Sequence, residues 1–405
     1  MSYVVIVDPF STGKLYAPLL NTLGLSCIAI ISRPNLPAHF TQDLVPGHFI
    51  HVLDWSPEAA HFLDALGVQA VIAGCETAIH LTDRLAKQLG LRGNSPVTSG
   101  ARRNKYIMQQ ALEQRGVTHI PTRLVTRPRQ IAQALKAVDD GRQYVVKPIN
   151  SAASQGVVFA TGRQAVAQAL NSAGWEQKND LGETNLGFVL QPFISGPEYV
   201  VDMVAFGGQY HIASVCRYTK IRRNGSPFVY DSLDTLDPAD EALAPLLAYA
   251  RQAAAALDVA VGPLHMEIIW AKDGPVMIEA GARLHGGIAP QLFQQVYQPD
   301  LLALAVDSYL GRPAPAGPGY SRQARHGGIG FFWTDQPGTF QGPGNERAAA
   351  TVPGYGGHRY FVSPGSALPA TLDFATCPGL FWLSHDDPDQ LDRSAEQLRA
   401  FLWGH

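Results

Sequence analysis

The chain has 405 residues, of which 46% are hydrophobic and 16% charged, with a formal net charge of −3. A disordered chain is excluded by that balance, and the length exceeds a usual single core, so two or three associated lobes with clefts between them are expected. Lysines and arginines are scattered, with small groups such as Arg102-Arg103-Asn104-Lys105 and no footprint for nucleic acid, and no apolar stretch approaches the roughly 20 residues needed to cross a bilayer.

Met1-Ser2-Tyr3 runs into Val4-Val5-Ile6-Val7 without a basic flank or cleavage pattern, which reads as a first buried strand of a cytoplasmic protein. Cys27, Cys75, Cys216 and Cys377 lie far apart with no Cys-x-x-Cys pair, so reduced thiols are expected rather than a zinc site or disulfides. Strand patterns at Tyr3 to Val7, Ser26 to Ile31 and Ala70 to Ala73 alternate with helical patterns at Leu15 to Leu23 and Ala78 to Leu89, which predicts βαβ units on a parallel sheet. Gly74-Cys75-Glu76-Thr77 follows a strand at the sheet edge where ligands sit in such folds.

A helix from about Ala101 to Gln114 marks the first boundary. From Tyr144 to Gln191 the order strand, glycine-containing loop, strand, helix, strand predicts a small α+β lobe, with Glu176 to Glu183 as an exposed connection. Strands at Tyr199 to Phe206 and Gln209 to Tyr218, a helix at Leu243 to Leu257, and a hairpin of Leu264 to Trp270 with Val276 to Glu279 follow. Beyond Leu310 the chain is rich in Gly and Pro before a β-rich stretch at Gly328 to Trp333 and a closing amphipathic helix at Asp389 to Leu402. The expected division is 1–100, 101–190, 191–310 and 311–405.

Glu267 and Glu279 fall on the two strands of the hairpin, where pairing brings both carboxylates together, with Glu267 sharing a face with Ile269 and Glu279 with Met277. Paired carboxylates repel unless a cation lies between them, and hard oxygen ligands suit magnesium bound to nucleotide phosphates. Arg283, in the turn Ala282-Arg283-Leu284-His285-Gly286-Gly287, offers a planar fork for a carboxylate or phosphoryl group. Lys147 ends an apolar strand, where a buried ammonium needs an anion. The following loop, with Ser151, Ser154, Gln155 and Gly156, is small and polar enough to wrap polyphosphate or to be an ordinary turn. Lys105 opens a helix and is either a phosphate ligand or a solvated lysine. Gln191, Pro192, Phe193 and Ile194 suit an adenine slot, and Glu198 takes a ribose hydroxyl or is a strand-initial charge. Glu76 holds a substrate ammonium or caps the helix near Thr77. His265 contacts a substrate or is structural.

In their order and spacing from Arg103 to Gly287, these residues resemble the ATP-grasp superfamily. The N-terminal part, with Val7-Asp8-Pro9-Phe10-Ser11-Thr12-Gly13 and Gly74-Cys75-Glu76-Thr77, together with His265 and Arg283-Leu284-His285-Gly286-Gly287, most resembles its L-amino acid ligase branch, which makes dipeptides. The resemblance implies an α/β and α+β fold: an N-terminal parallel domain, two α+β lobes clamping ATP, and a C-terminal subdomain. It implies ATP with Mg²⁺, for which Mn²⁺ can substitute, and small carboxylate and amine substrates, with no nucleic acid or membrane partner and a homodimer by analogy. Lys105 and Lys147 then contact phosphates, Glu267 and Glu279 hold metal, Arg283 stabilises an acyl phosphate, and Gly286 and Gly287 support the oxyanion. Many members place Asn two residues after the second metal glutamate, where this chain has Gly281, so the second magnesium has fewer protein ligands. Tyr297, Phe332 and Trp333 are expected to line the substrate pocket. The competing readings are a D-alanine ligase-like or purine-pathway ligase and a non-catalytic nucleotide-binding regulator.

Overall fold

In the computed structural model, which describes residues 2–152 and 154–403, Val4 and Ile6 face one side of strand β1 (Ser2–Val7) and Val5 and Val7 the other. All four are buried because both faces of the sheet are covered. β1 pairs in parallel with β2 (Leu25–Ile31) and β4 (Ala70–Ala73), and β3 (His51–Asp54) flanks β2, giving the order β3-β2-β1-β4. One face carries helices Pro57–Leu66 and Ile79–Gln88. The other packs Val4, Ile6, Tyr16 and Leu20 against Leu301, Leu304 and Tyr309 of a later helix, so this domain shares a core with the lobe that follows.

Gly74 closes the β4 loop against β1: a Cβ there would lie 2.2 Å from the Asp8 carbonyl oxygen, so only glycine permits the approach. Helix α1 (Lys105–Gln114) is capped by Asn104, whose side chain accepts from the Tyr106 and Ile107 amides. It begins later than its pattern suggests because Ser99–Arg102 forms a separate 3-10 turn.

The small lobe is a four-stranded antiparallel sheet, β5 (Arg123–Val125), β6 (Gln143–Pro148), β7 (Val158–Thr161) and β8 (Phe188–Pro192), in the order β5-β8-β6-β7. Val166 and Leu170 of the helix Gly162–Asn171 pack on Val146 and Leu190. The connection from Glu176 to Glu183 is only partly exposed, at Glu176 to Lys178 and at Asp180. Asn179 and Leu181 are buried, Arg33 donates to the Leu181 carbonyl, and Glu183 accepts from Arg103 at 2.9 Å. A polar composition misleads there because the polar groups are spent on neighbours rather than on water.

The large lobe is built on an eight-stranded antiparallel sheet. Its strands are β9 (Glu198–Phe206), β10 (Gln209–Arg223), β11 (Ser226–Leu236), β12 (Val261–Ala271), β13 (Gly274–Gly281), β14 (His326–Phe331), β15 (Tyr355–Tyr360) and β16 (Gly379–His385), in the order β13-β12-β9-β10-β11-β14-β16-β15. Strands after residue 310 thus extend the same sheet, through the pairing of Leu233 with Ile329. Those residues also have a small core of their own, where Leu398 and Leu402 of the closing helix (Pro388–Trp403) meet Phe332, Phe381 and Leu383.

Candidate active site

The two lobes and the domain before them enclose a cleft of about 810 Å³. Alternation along β12 sends Leu264, Met266 and Ile268 into the core and His265, Glu267 and Ile269 toward the cleft. On β13 the expected alternation fails. The register slips between Glu267 and Ile268, so that Glu279 lies opposite Glu267 while Met277 lies opposite Ile268 in the core. This bulge reverses the expectation that Glu279 and Met277 share a face, and it turns Ile278 and Glu279 together into the cleft.

Lysines surround the opposed carboxylates. Lys105 Nζ donates to Glu279 Oε1 at 2.8 Å and to the Ser151 carbonyl at 2.6 Å. Lys147 lines the cleft, is 4% exposed and has no hydrogen-bond or ion-pair partner among the described residues. Burial pulls it down to about 8. Ser151, Ala152 and Ser154 line the same space, and Ala153 lies outside the described residues. Gln155 and Gly156 do not line it: the Gln155 side chain bonds Asp180 through both its amide groups.

Val145, Pro192, Phe193, Ile194, Ile269 and Ile278 supply apolar walls near these groups. The Gln191 side chain donates to Thr122 Oγ1 at 2.8 Å, so it braces β8 while its backbone pairs with Val145. Glu198 lines the cleft but already accepts from Lys220 at 2.7 Å, and Lys220 stands 4.4 Å over the Tyr230 ring.

Arg283 donates through Nε to Glu76 Oε2 at 2.8 Å and through Nη1 to the Leu284 carbonyl at 2.8 Å. The other Glu76 oxygen lies 3.7 Å from Arg103 Nε. Burial opposes the charged form of Glu76, yet Arg283 and Arg103 hold it below the usual carboxylate range. Glu76 lines the cleft, makes no capping bond to its helical turn among the described residues, and orients Arg283 through its carboxylate. Gly281 has a physical reason here. A Cβ at that position would lie 3.0 Å from Glu76 Oε2 and 3.4 Å from Arg283 Nε, so a larger residue would crowd this ion pair.

A profile of the ATP-grasp domain matches residues 102–287. The chain is 30% identical to dapdiamide A synthase of Enterobacter agglomerans, over 98% of its own length and 95% of that protein's. The chain belongs to the ATP-grasp family. An uncharacterised protein of Sinorhizobium fredii, y4rH, is 21% identical over 92% of this chain and 76% of that one. The crystal structure of an L-amino acid ligase from Bacillus licheniformis superimposes with a TM-score of 0.78 at 20% identity, covering 99% of this chain and 98% of that one. The N5-carboxyaminoimidazole ribonucleotide synthetase of Thermotoga maritima gives 0.68 at 14%, covering 99% of each chain.

Within this ATP-grasp cleft the pocket wall differs from its expected composition. Ile329 and Phe331 line it, whereas Phe332, one residue on, faces the opposite side and fills the small C-terminal core. Tyr297 is buried with its hydroxyl engaged by the Val215 and Leu236 carbonyls, and Trp333 lies outside the cleft, under Arg223. Three cleft contributors escaped the sequence reading: Lys220, Tyr230 and the partnership of Asp202 with His265 and His285. Lys220 was the legible one, since it shares a strand face with Tyr218. The β10–β11 hairpin that presents Tyr230 turns through Asn224 and Gly225 at φ of 53° and 78°, and Asn-Gly is a strong hairpin signal.

Proposed function

We propose that this protein is an ATP-dependent ligase that activates the carboxylate of an amino acid as an acyl phosphate and joins it to the amine of a second amino acid, releasing ADP and phosphate. The observation that carries the reading is the convergence of Lys105, Lys147, Glu267, Glu279 and Arg283, drawn from separate elements, on one cleft. The whole-length relationship to a protein named as an amide-forming synthase supports it.

The residues fit a nucleotide-bound divalent cation. Glu267 and Glu279 are opposed across a strand pair and offer only oxygen donors, the ligand chemistry of Mg²⁺ and Mn²⁺. Such an ion, when bound, neutralises phosphate charge between these carboxylates. Lys147 supplies a buried cation without a counter-charge of its own, which a phosphate satisfies, and Lys105 exchanges its bond to Glu279 for a phosphate oxygen. Together they lower the repulsion between two approaching anions. Arg283 is pinned at Nε and Nη1, so its Nη2 is held ready for the acyl phosphate. Phe193 and Ile194 flank the adenine, and Glu198, shared with Lys220, lies near the ribose.

Beyond Gly286 and Gly287 the wall is apolar, formed by Leu233, Ile288, Ile329, Phe331 and Leu380. One of the two substrates therefore carries a hydrophobic side chain. The test is ADP and phosphate release with amino acids supplied singly and in pairs. Release that needs a pair, with a dipeptide as product, supports the reading; no release with any pair sinks it.

A further inference from the structure

The cleft reaches a buried array that the steps above leave unused. Asp202 on β9 is fully buried, and its two oxygens are divided between two imidazoles: Oδ1 lies 2.9 Å from His265 Nδ1 and Oδ2 lies 2.9 Å from His285 Nδ1. Ser214 Oγ also donates to Oδ2, at 2.7 Å. A carboxylate in that position holds a hydrogen on the Nδ1 of each ring, and in a neutral ring Nε2 is then the acceptor nitrogen. Burial opposes the charged form of His265, but Asp202 and Glu267 raise it to about 9, so this ring carries both hydrogens and directs Nε2–H toward the Glu267 carboxylate, 3.7 Å away. His285 differs. Its Nε2 has no hydrogen-bond partner among the described residues, and its ring lines the cleft immediately before Gly286 and Gly287. The ring is held against His265, with centroids 4.3 Å apart, and edge-on to Phe293 at 5.5 Å.

We propose that His285 is the general base for the incoming amine, with Asp202 as the positioning residue that sets its tautomer and orientation. The inference rests on the amide-forming reading above. An amino acid amine is an ammonium at neutral pH and has no lone pair to attack with. His285 Nε2 takes one proton from that nitrogen, and the freed lone pair forms the C–N bond at the acyl carbon. The C–O bond to phosphate then breaks, its electron pair leaves with the phosphate, and the surplus proton on the new amide nitrogen departs with it. The charged and titratable groups around the ring are Asp202, His265 and Arg283, with Cys216 behind Asp202. Burial, helped by His265 and Arg283, outweighs Asp202 and holds His285 below the ordinary histidine range, which keeps the ring neutral and able to accept.

Hydroxylamine separates the two half-reactions, because it is largely unprotonated at neutral pH and captures an acyl phosphate without needing a base. Hydroxamate and amide formation are compared in the wild type, in His285→Asn, whose side-chain amide still donates toward Asp202, and in His285→Gln. The expected result is a fall in amide formation that exceeds any fall in hydroxamate formation by roughly 10²-fold, with the gap narrowing as pH rises and the amine loses its proton unaided. Equal losses in both reactions for both variants, or amide formation at the wild-type rate, overturn the base role. A wild type that makes neither product from any acid overturns the ligase reading instead.

Discussion

Lys105 and Glu279 meet at 2.8 Å although 174 positions separate them in the chain. The same ammonium reaches the Ser151 carbonyl, so one side chain ties the connecting helix, the loop after β6 and the β13 bulge into a single electrostatic unit. Lys105 thereby offsets one of two opposed carboxylates. On the proposed reading, a bound metal and polyphosphate would take over both roles.

Replacing Glu279 with Gln removes an oxygen ligand and the Lys105 partner together. Turnover is expected to fall by roughly 10²-fold or more, on the order of 3 kcal/mol in the barrier, and to require higher Mg²⁺ for half-maximal rate. Steady-state ADP release across a magnesium titration, with EDTA as the zero point, checks this. An unchanged magnesium dependence would remove Glu279 from the metal site.

Burial lowers Lys147 to about 8 from an ordinary value of 10.5. Because the folded value lies below the unfolded one, the folded state releases this proton first, so the contribution of Lys147 makes stability rise with pH between about 8 and 10.5. A bound polyphosphate restores the charge. Nucleotide binding near pH 8 is therefore expected to take up about half a proton at this site. Calorimetry in buffers of differing ionisation enthalpy measures the uptake, and Lys147→Met should abolish it while weakening nucleotide binding.

Arg102 is a structural counterpart to these site charges. It is fully buried, pairs with Asp83 at 2.8 Å, and donates to the Leu257 and Asp258 carbonyls, thereby joining the first domain to the large lobe. Arg102→Ala leaves Asp83 buried without its cation, at a cost of roughly 3–5 kcal/mol. Urea unfolding followed by tryptophan fluorescence reads the loss, and a variant as stable as the parent would show that the pair contributes nothing net.

Phe331 and Ile329 face the cleft from a strand that follows residue 310. Phe331→Ala is expected to reduce kcat/KM for the preferred hydrophobic substrate by roughly 10- to 100-fold, with little effect on the KM for ATP. Substrate-specificity profiles of parent and variant test this. A uniform loss across all substrates would mean that Phe331 supports the fold and not the side-chain pocket.

Much of this arrangement is legible in the linear order. The opposed glutamates, the strand-end lysine and the arginine turn are recognisable because each sits at a fixed place in a strand or turn whose pattern is local. The errors fall where local pattern stops governing. Alternation placed Glu279 with Met277, and the bulge between Glu267 and Ile268 undid it. A reading that put Phe332 in the pocket was one residue out, which in a strand means the opposite face. The pairing of Glu76 with Arg103 and Arg283 was not legible, because these partners lie 27 and 207 positions away in sequence.

By itself the sequence determined the family, the succession of α/β and α+β lobes, and the residue types needed for phosphate, metal and acyl-phosphate chemistry, since these depend on short patterns of charge and hydrophobic period. The tertiary structure decided which charges neutralise one another and which remain for a ligand. Glu76 is spent on Arg283, Glu198 on Lys220 and Gln155 on Asp180, while Lys147 and the Nε2 of His285 are left facing the cleft. Pairing energies depend on distance and burial, and both are set by strand register and lobe contacts between residues far apart in the chain.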